Sequence, residues 1–163
     1  AAAGFQGTTL SPLHASLLVA AVANNGTMMA PRIVDSAIRD GDVLYEAELA
    51  PLAQVVSPET ADQLTTVMLE TVRSGTARKF FAQRRRLEGV SIAAKTGHLA
   101  ARLDGRAVHY SWFMAFAPAE RPEIAVAAVV VLGEQWTVKG VVPARDVLEA
   151  WARVQVAASG SGR

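Results

Sequence analysis

Cysteine is absent from the 163 residues, which excludes a disulfide framework and thiolate metal ligation. An excess of charge is absent as well: 16 Lys+Arg stand against 15 Asp+Glu, leaving +1, so no global field favours nucleic acid or an anionic membrane surface. Long hydrophobic runs are missing. The longest, Ile124 to Leu132, falls well short of the roughly 20 residues that a membrane-spanning helix needs. The opening Ala1-Ala2-Ala3-Gly4 lacks the basic-then-apolar order of a signal peptide, and the chain as it stands is expected to be soluble. His14, His98 and His109 lack metal-site spacing and no Asp or Glu completes a ligand pattern, so neither a metal nor another cofactor is expected.

What is present is enough apolar material for one domain with a real core, with 51% hydrophobic and 19% charged residues. Ser11-Pro12 reads as an N-cap followed by proline at the first helical position, and Asn25-Gly26 as the stop. The expected buried stripe is Leu13, Leu17 and Ala21 with Leu18 and Val22 beside it. An extended stretch from Pro31 to Arg39, a turn at Asp40-Gly41-Asp42 and a return over Val43 to Tyr45 predict a hairpin. A further extended piece is expected around Val55 and Val56. Ser57-Pro58-Glu59 starts a second helix, with Ala61, Leu64, Met68 and Val72 inward and Ser74-Gly75 at its end.

Three strands follow: Val90 to Thr96, His109 to Ala117, and Glu123 to Leu132. A polar loop from Leu99 to Val108 is expected between the first two. The tight reversal Pro118 to Pro122 makes the last two an antiparallel hairpin. The strand from Glu123 to Leu132 is apolar at nearly every position, as a strand covered on both faces should be. A final helix from about Pro143 to Val156 should turn Val147, Leu148, Trp151 and Val154 inward and Arg145, Glu149 and Arg153 outward. Ser159-Gly160-Ser161-Gly162 predicts a disordered tail over residues 158–163.

One stretch concentrates chemistry. Ile92-Ala93-Ala94-Lys95-Thr96-Gly97-His98 runs an apolar strand into a cation, a hydroxyl and a residue without Cβ. Each offers a donor or open backbone and none a negative charge, which suits an anionic ligand. Strand alternation places Lys95 and Gly97 on one face and Thr96 on the other. An ordinary strand end accounts for the tripeptide equally well when it is taken alone.

Its surroundings add to it. Gly4-Phe5-Gln6-Gly7, Leu10-Ser11-Pro12-Leu13, Ala23-Asn24-Asn25-Gly26 and Met29-Ala30-Pro31 come first. Val56-Ser57-Pro58-Glu59-Thr60, Gly75-Thr76-Ala77, Lys95-Thr96-Gly97 and Trp112 to Pro118 follow in order. This series, from Gly4 to about Val156, resembles the C-terminal portion of a penicillin-binding protein transpeptidase domain. The resemblance implies serine acyl transfer on a peptidoglycan stem peptide, with β-lactams as mimics. It also implies a parent protein at the outer face of the cytoplasmic membrane in a bacterial cell envelope, held by an N-terminal anchor outside these residues.

Such chemistry needs a serine with a lysine one helical turn on, and a Ser-x-Asn loop. No serine here has a lysine three positions later or an asparagine two positions later. The nucleophile and base are therefore expected in an N-terminal part of the same domain, and this chain alone is expected to be inactive. On the resemblance, Lys95 and Thr96 are the catalytic-site residues, biasing the nucleophile pocket and holding the substrate carboxylate. Gly97 lets substrate lie against the strand, and the His98 N–H supplies an oxyanion donor. The family usually has threonine or another small residue where His98 stands.

The implied fold class is α+β: an antiparallel sheet with helices packed on its faces, an incomplete part of a β-lactamase/transpeptidase-like fold. Residues 1–157 form the domain portion, with Glu123 to Leu132 inside the sheet and Val90 to Thr96 toward substrate. Without the missing part, that apolar strand becomes an exposed edge, so self-association or coverage by a rearranged segment is expected. A non-catalytic binding or assembly module of the same shape is the alternative. The basic run Arg78, Lys79, Arg84, Arg85 and Arg86 with Phe80 and Phe81 has the composition of a nucleic-acid patch. With balanced net charge it reads instead as a solvated helix end with two core phenylalanines, and no nucleic-acid partner is expected. Trp112 and Trp151 are expected in the core, and Trp136 in the loop after the last strand. Glu134 and Asp104 are carboxylates that nothing in the spacing brings together.

Overall fold

Both proline-led helices begin where their caps dictate. In the computed structural model, which describes residues 9–133 and 137–160, α1 spans Pro12–Ala23. The Ser11 hydroxyl accepts from the His14 N–H at 3.1 Å. The chain then turns through Asn25 and Gly26, both with positive φ. A Cβ on Gly26 would sit 2.1 Å from the Val56 carbonyl oxygen, so only glycine lets the two segments meet. Gln54 fixes that meeting by donating to the carbonyls of Asn25 at 2.8 Å and Val56 at 2.7 Å.

Strand β1 (Thr27–Met29) leads to the hairpin of β2 (Ser36–Arg39) and β3 (Asp42–Glu46), and β4 (Pro51–Gln54) returns to pair antiparallel with β1. The expected extended piece at Val55 and Val56 is displaced to β4, because it is Gln54 that closes onto Thr27 and Asn25. Helix α2 (Pro58–Arg73) is capped by Ser57, and a short α3 (Arg78–Phe81) and one 3₁₀ turn (Arg85–Leu87) carry the basic segment.

The main sheet follows: β5 (Ala93–Leu103), β6 (Arg106–Ala117) and β7 (Ile124–Leu132), antiparallel in the order β5-β6-β7. Helix α4 (Val141–Gly160) closes the chain. Period-two alternation gives this sheet two apolar faces. Phe113, Ala115 and Ala117 pack with Val141, Ala144, Leu148 and Ala152 of α4. Ala93 and Phe116 pack with Val19 of α1 and Met68 of α2 on the other. Removing each of Phe113, Phe116 and Leu148 wholly from water is worth about 1.5–3 kcal/mol. Strand β7 touches both α1 and α4, as its unbroken apolar run requires.

Several expectations are corrected. The polar loop from Leu99 to Val108 is instead a continuous hairpin: β5 and β6 stay paired to Leu103↔Arg106, and Asp104-Gly105, both at positive φ, make the two-residue turn. Glu123 to Leu132 forms the edge strand expected of it without the rest of the domain: β6 is the middle strand, and no described segment pairs with the other side of β7.

On α1 the buried residues are Ala15, Val19 and Ala21, while Leu13 is 60% exposed, because only His14 and Ser16 interrupt its apolar surface and the pattern does not select a face. In α2, Ala61 and Met68 are buried but Leu64 is exposed. On α4, Leu148 is buried and Trp151 packs on the core, but Val147 and Val154 are exposed. Arg145 and Glu149 are not outside: Glu149 meets Arg84, Arg86 and Arg145 at 3.9, 3.5 and 4.0 Å, tying the basic segment to α4. Phe80 and Phe81 do pack on the core, with the Phe81 ring 6.0 Å from that of Phe113. The helix continues to Gly160, past the expected start of the tail at 158, and residues 161–163, Glu134 and Trp136 lie outside the described residues. Among the described residues no helix is long and apolar enough to cross a membrane.

Candidate active-site groove

Strand β5 borders the sheet, and among the described residues no segment pairs with its outer edge along the Lys95 to His98 stretch. Lys95, Gly97 and His98 are exposed and Thr96 is half-buried. Thr96, Gly97 and His98 line a groove of about 230 Å³ together with Thr76, Phe80, Ser111, Trp112, Lys139 and Val141. Lys95 is not part of that lining. It pairs across the sheet with Met114, leaves β5 on the face opposite Thr96, and its ammonium donates to the Thr96 carbonyl at 2.6 Å.

Two backbone devices close the groove around β5. At the end of α2, Ser74 and Gly75 donate to the Glu70 carbonyl and Ala77 to that of Thr71, turning Thr76 toward the sheet. The Thr76 and Thr96 hydroxyls then meet at 2.9 Å. Opposite, the buried Ser111 hydroxyl accepts from the Gly140 N–H at 3.0 Å. A Cβ on Gly140 would lie 2.3 Å from the Ser111 carbonyl oxygen, so glycine alone allows the approach that brings Lys139 to the groove. Gly97 faces Trp112 across the ladder, where a Cβ would come within 3.2 Å of the Trp112 Cβ.

Next to Thr96, His98 Nε2 and His109 Nδ1 are 3.2 Å apart, with nearly parallel rings. The lining therefore gathers three hydroxyls, an imidazole and an ammonium over the apolar surfaces of Phe80 and Trp112, with no carboxylate among its described residues. That chemistry fits an anionic ligand with an apolar body.

Sequence reasoning singled out Lys95, Thr96, Gly97 and His98 together, with Lys95 and Gly97 on one face of the strand and Thr96 on the other; in the structure Thr96, Gly97 and His98 line the groove and Lys95 does not. It did not find Thr76 or Lys139, whose approach depends on a turn 20 residues before β5 and on a close contact at Gly140. Ser111 was not singled out for the groove either. Trp112, expected in the core, is half-buried on the lining.

Residues 1–147 match the family model described as the penicillin-binding protein transpeptidase domain. The chain is 34% identical over 133 residues to the peptidoglycan D,D-transpeptidase PbpA of Mycobacterium tuberculosis strain H37Rv, covering 80% of this chain and 26% of that protein. Among solved structures it superimposes on penicillin-binding protein A from M. tuberculosis in an imipenem acyl-enzyme complex, with TM-score 0.68, 28% identity, and coverage of 91% of this chain and 32% of that one. It likewise matches the D,D-transpeptidase domain of a peptidoglycan glycosyltransferase from Eggerthella lenta, at TM-score 0.66, 30% identity, and 93% and 33% coverage. The chain thus spans about a quarter of the length of the curated relatives it matches.

Proposed function

The chain belongs to the penicillin-binding protein transpeptidase family, and from that premise we propose that it forms one wall of a serine acyl-transfer pocket for peptidoglycan stem peptides and β-lactams. The observation that carries this reading is the open edge of β5, where Thr96, Gly97 and His98 border a groove of donors. Either hydroxyl of the Thr76–Thr96 pair can donate; when Thr76 donates, the Thr96 hydroxyl keeps its own proton for a substrate carboxylate. Gly97 lets an extended peptide lie alongside β5 as an added strand, and the His98 N–H serves the developing oxyanion.

Lys95 takes part from the other face. Its bond to the neighbouring carbonyl is local and exposed, worth about 1 kcal/mol, so it yields to a nucleophile packed on that side. Nucleophile and base come from residues outside these 163, since no serine here has the required lysine three positions on. The chain by itself is inactive, and the complete protein works in the bacterial envelope at the outer face of the cytoplasmic membrane.

The apolar edge of β7 and the exposed Leu13 and Leu18 of α1 are where the remainder of the domain packs. In its absence the isolated chain self-associates through that edge. Light scattering with size exclusion tests this; a strict monomer with an open edge contradicts it.

Fluorescent penicillin separates the catalytic reading from an assembly module of the same shape. The complete protein containing this chain should label covalently on one serine, and the 163 residues alone should not. A complete protein that stays unlabelled removes the catalytic reading.

A further inference from the structure

The apolar part of the groove lining comes from Phe80, Trp112 and Val141. Trp112 is set by the β5-β6 ladder and Val141 by the long helix α4. Phe80 lies on α3, a single turn of four residues, too short to be held by its own helical hydrogen bonds. Its ring is half-buried, and Phe81 beside it turns into the core against Phe113. The Lys79 ammonium lies over the Phe80 ring, 5.3 Å from its centroid.

The chain after α3 returns to it. Gln83 has a φ of 60°, a left-handed conformation that a residue with a Cβ adopts at a cost in free energy. The reversal brings the Arg84 guanidinium back to α3, where its Nε donates to the Phe80 carbonyl at 3.3 Å. The same guanidinium stands 3.9 Å from Glu149 on α4, and Arg86 and Arg145 meet that carboxylate at 3.5 and 4.0 Å. The Glu149 side chain is only 15% exposed, so its charge is less screened than in a surface pair. Arg84 therefore ties the backbone of Phe80 to the helix whose first residue, Val141, also lines the groove.

We infer that Phe80 is a specificity-determining residue of the groove, selecting ligands that carry one ring-sized apolar group. Arg84, backed by Glu149, is the positioning residue that fixes where Phe80 stands. The inference rests on the acyl-transfer reading for the identity of the ligand and adds what the groove selects. Size supports it. The groove, at about 230 Å³, is smaller than the roughly 300–1,000 Å³ of a pocket for a whole drug-sized ligand and larger than the roughly 150 Å³ cavity that takes up benzene. It holds one side group of a ligand that lies along β5.

The test uses the complete protein containing this chain and two penicillins. Benzylpenicillin carries a phenyl ring on its acyl arm, and 6-aminopenicillanic acid has no acyl arm. The wild type should prefer the first in the noncovalent step. F80A should lower that preference roughly three- to tenfold, the size of one lost aromatic contact. F80L keeps the apolar bulk, covers the case of an alanine variant that fails to fold, and should lower the preference by less. R84A should lose part of the preference, and the loss should fall on the noncovalent step and not on acylation by benzylpenicillin. R85A, which removes the neighbouring exposed charge, should behave as wild type. Hydrogen exchange read by mass spectrometry should be faster over residues 78–84 in R84A and E149Q than in wild type or R85A.

A wild type without the preference, or one unchanged in F80A and F80L, overturns the specificity role. A preference lowered in F80A but unchanged in R84A overturns the positioning role, as does an equal loss in R85A, which would trace the effect to net charge. A wild type that neither penicillin labels counts against the acyl-transfer reading, and hydrogen exchange then decides the link from Arg84 to Phe80 by itself.

Discussion

The hydroxyls of Thr76 and Thr96 lie 2.9 Å apart, joining the turn after α2 to the open strand β5. Twenty residues separate them in sequence, and the contact exists only because the α2 C-terminus folds back onto Glu70 and Thr71. T76V removes one exposed hydrogen bond, about 1 kcal/mol or roughly fivefold. Acylation of the complete protein by penicillin should slow about that much with little change in melting temperature, and T76S should recover it. Equal rates for T76V and wild type would leave the contact without a role.

Gly140 and Gly97 both face close neighbours, but of different kinds. A Cβ on Gly140 meets backbone oxygen at 2.3 Å, whereas one on Gly97 meets a side-chain carbon at 3.2 Å. Backbone cannot give way as a side chain can, so G140A should cost about 2–3 kcal/mol, the upper part of the overpacking range, and G97A about 1 kcal/mol or less. Urea unfolding midpoints report both. The order of the two, more than their size, checks the packing.

Ser91 ties the reversal between β6 and β7 to the start of β5. Its hydroxyl donates to Glu120 and accepts from the Ala119 N–H at 2.8 Å. The Ser91 hydrogen bond foremost, and the Glu120 backbone N–H next, hold the Glu120 carboxyl below its ordinary range. A depressed carboxylate pKa contributes stability that is present above the unfolded value and lost as pH falls through the folded one. S91A should therefore lower the melting temperature more at pH 7 than at pH 3. The Ala119 contact leaves a residual, pH-independent loss. A difference that stays constant across that range would show that Glu120 adds nothing.

Phe113 is wholly buried between β6 and α4, and Val131 on β7 is 55% exposed. F113A should cost about 3–5 kcal/mol, while V131A should change stability by less than about 1 kcal/mol. Chemical denaturation of the two variants checks which strand carries the core.

Much of this was legible in the residues. The caps at Ser11 and Ser57 and the Asp40-Gly41 hairpin are local signals, and each acts within a few positions of itself. Asp104-Gly105 carries the same dipeptide as Asp40-Gly41, and the hairpin it makes was concealed by the polar residues around it. Which face of α1 is buried was not legible, because only His14 and Ser16 break its apolar surface and tertiary packing decides. The edge position of β7 was expected only through the family resemblance, since an apolar run by itself reports coverage of faces and says nothing of partners along the strand. In the groove, Thr96 to His98 follow from one contiguous motif. Thr76, Ser111 and Lys139 are brought there by contacts between distant turns.

The most direct measurement is a crystal structure of the complete protein acylated by a β-lactam. The expected result is the ligand carboxylate at hydrogen-bond distance, about 2.5–3.0 Å, from Thr96 Oγ1, with the acyl chain running along the open edge of β5. A ligand bound to the serine with its carboxylate held elsewhere, and Thr96 untouched, would contradict it.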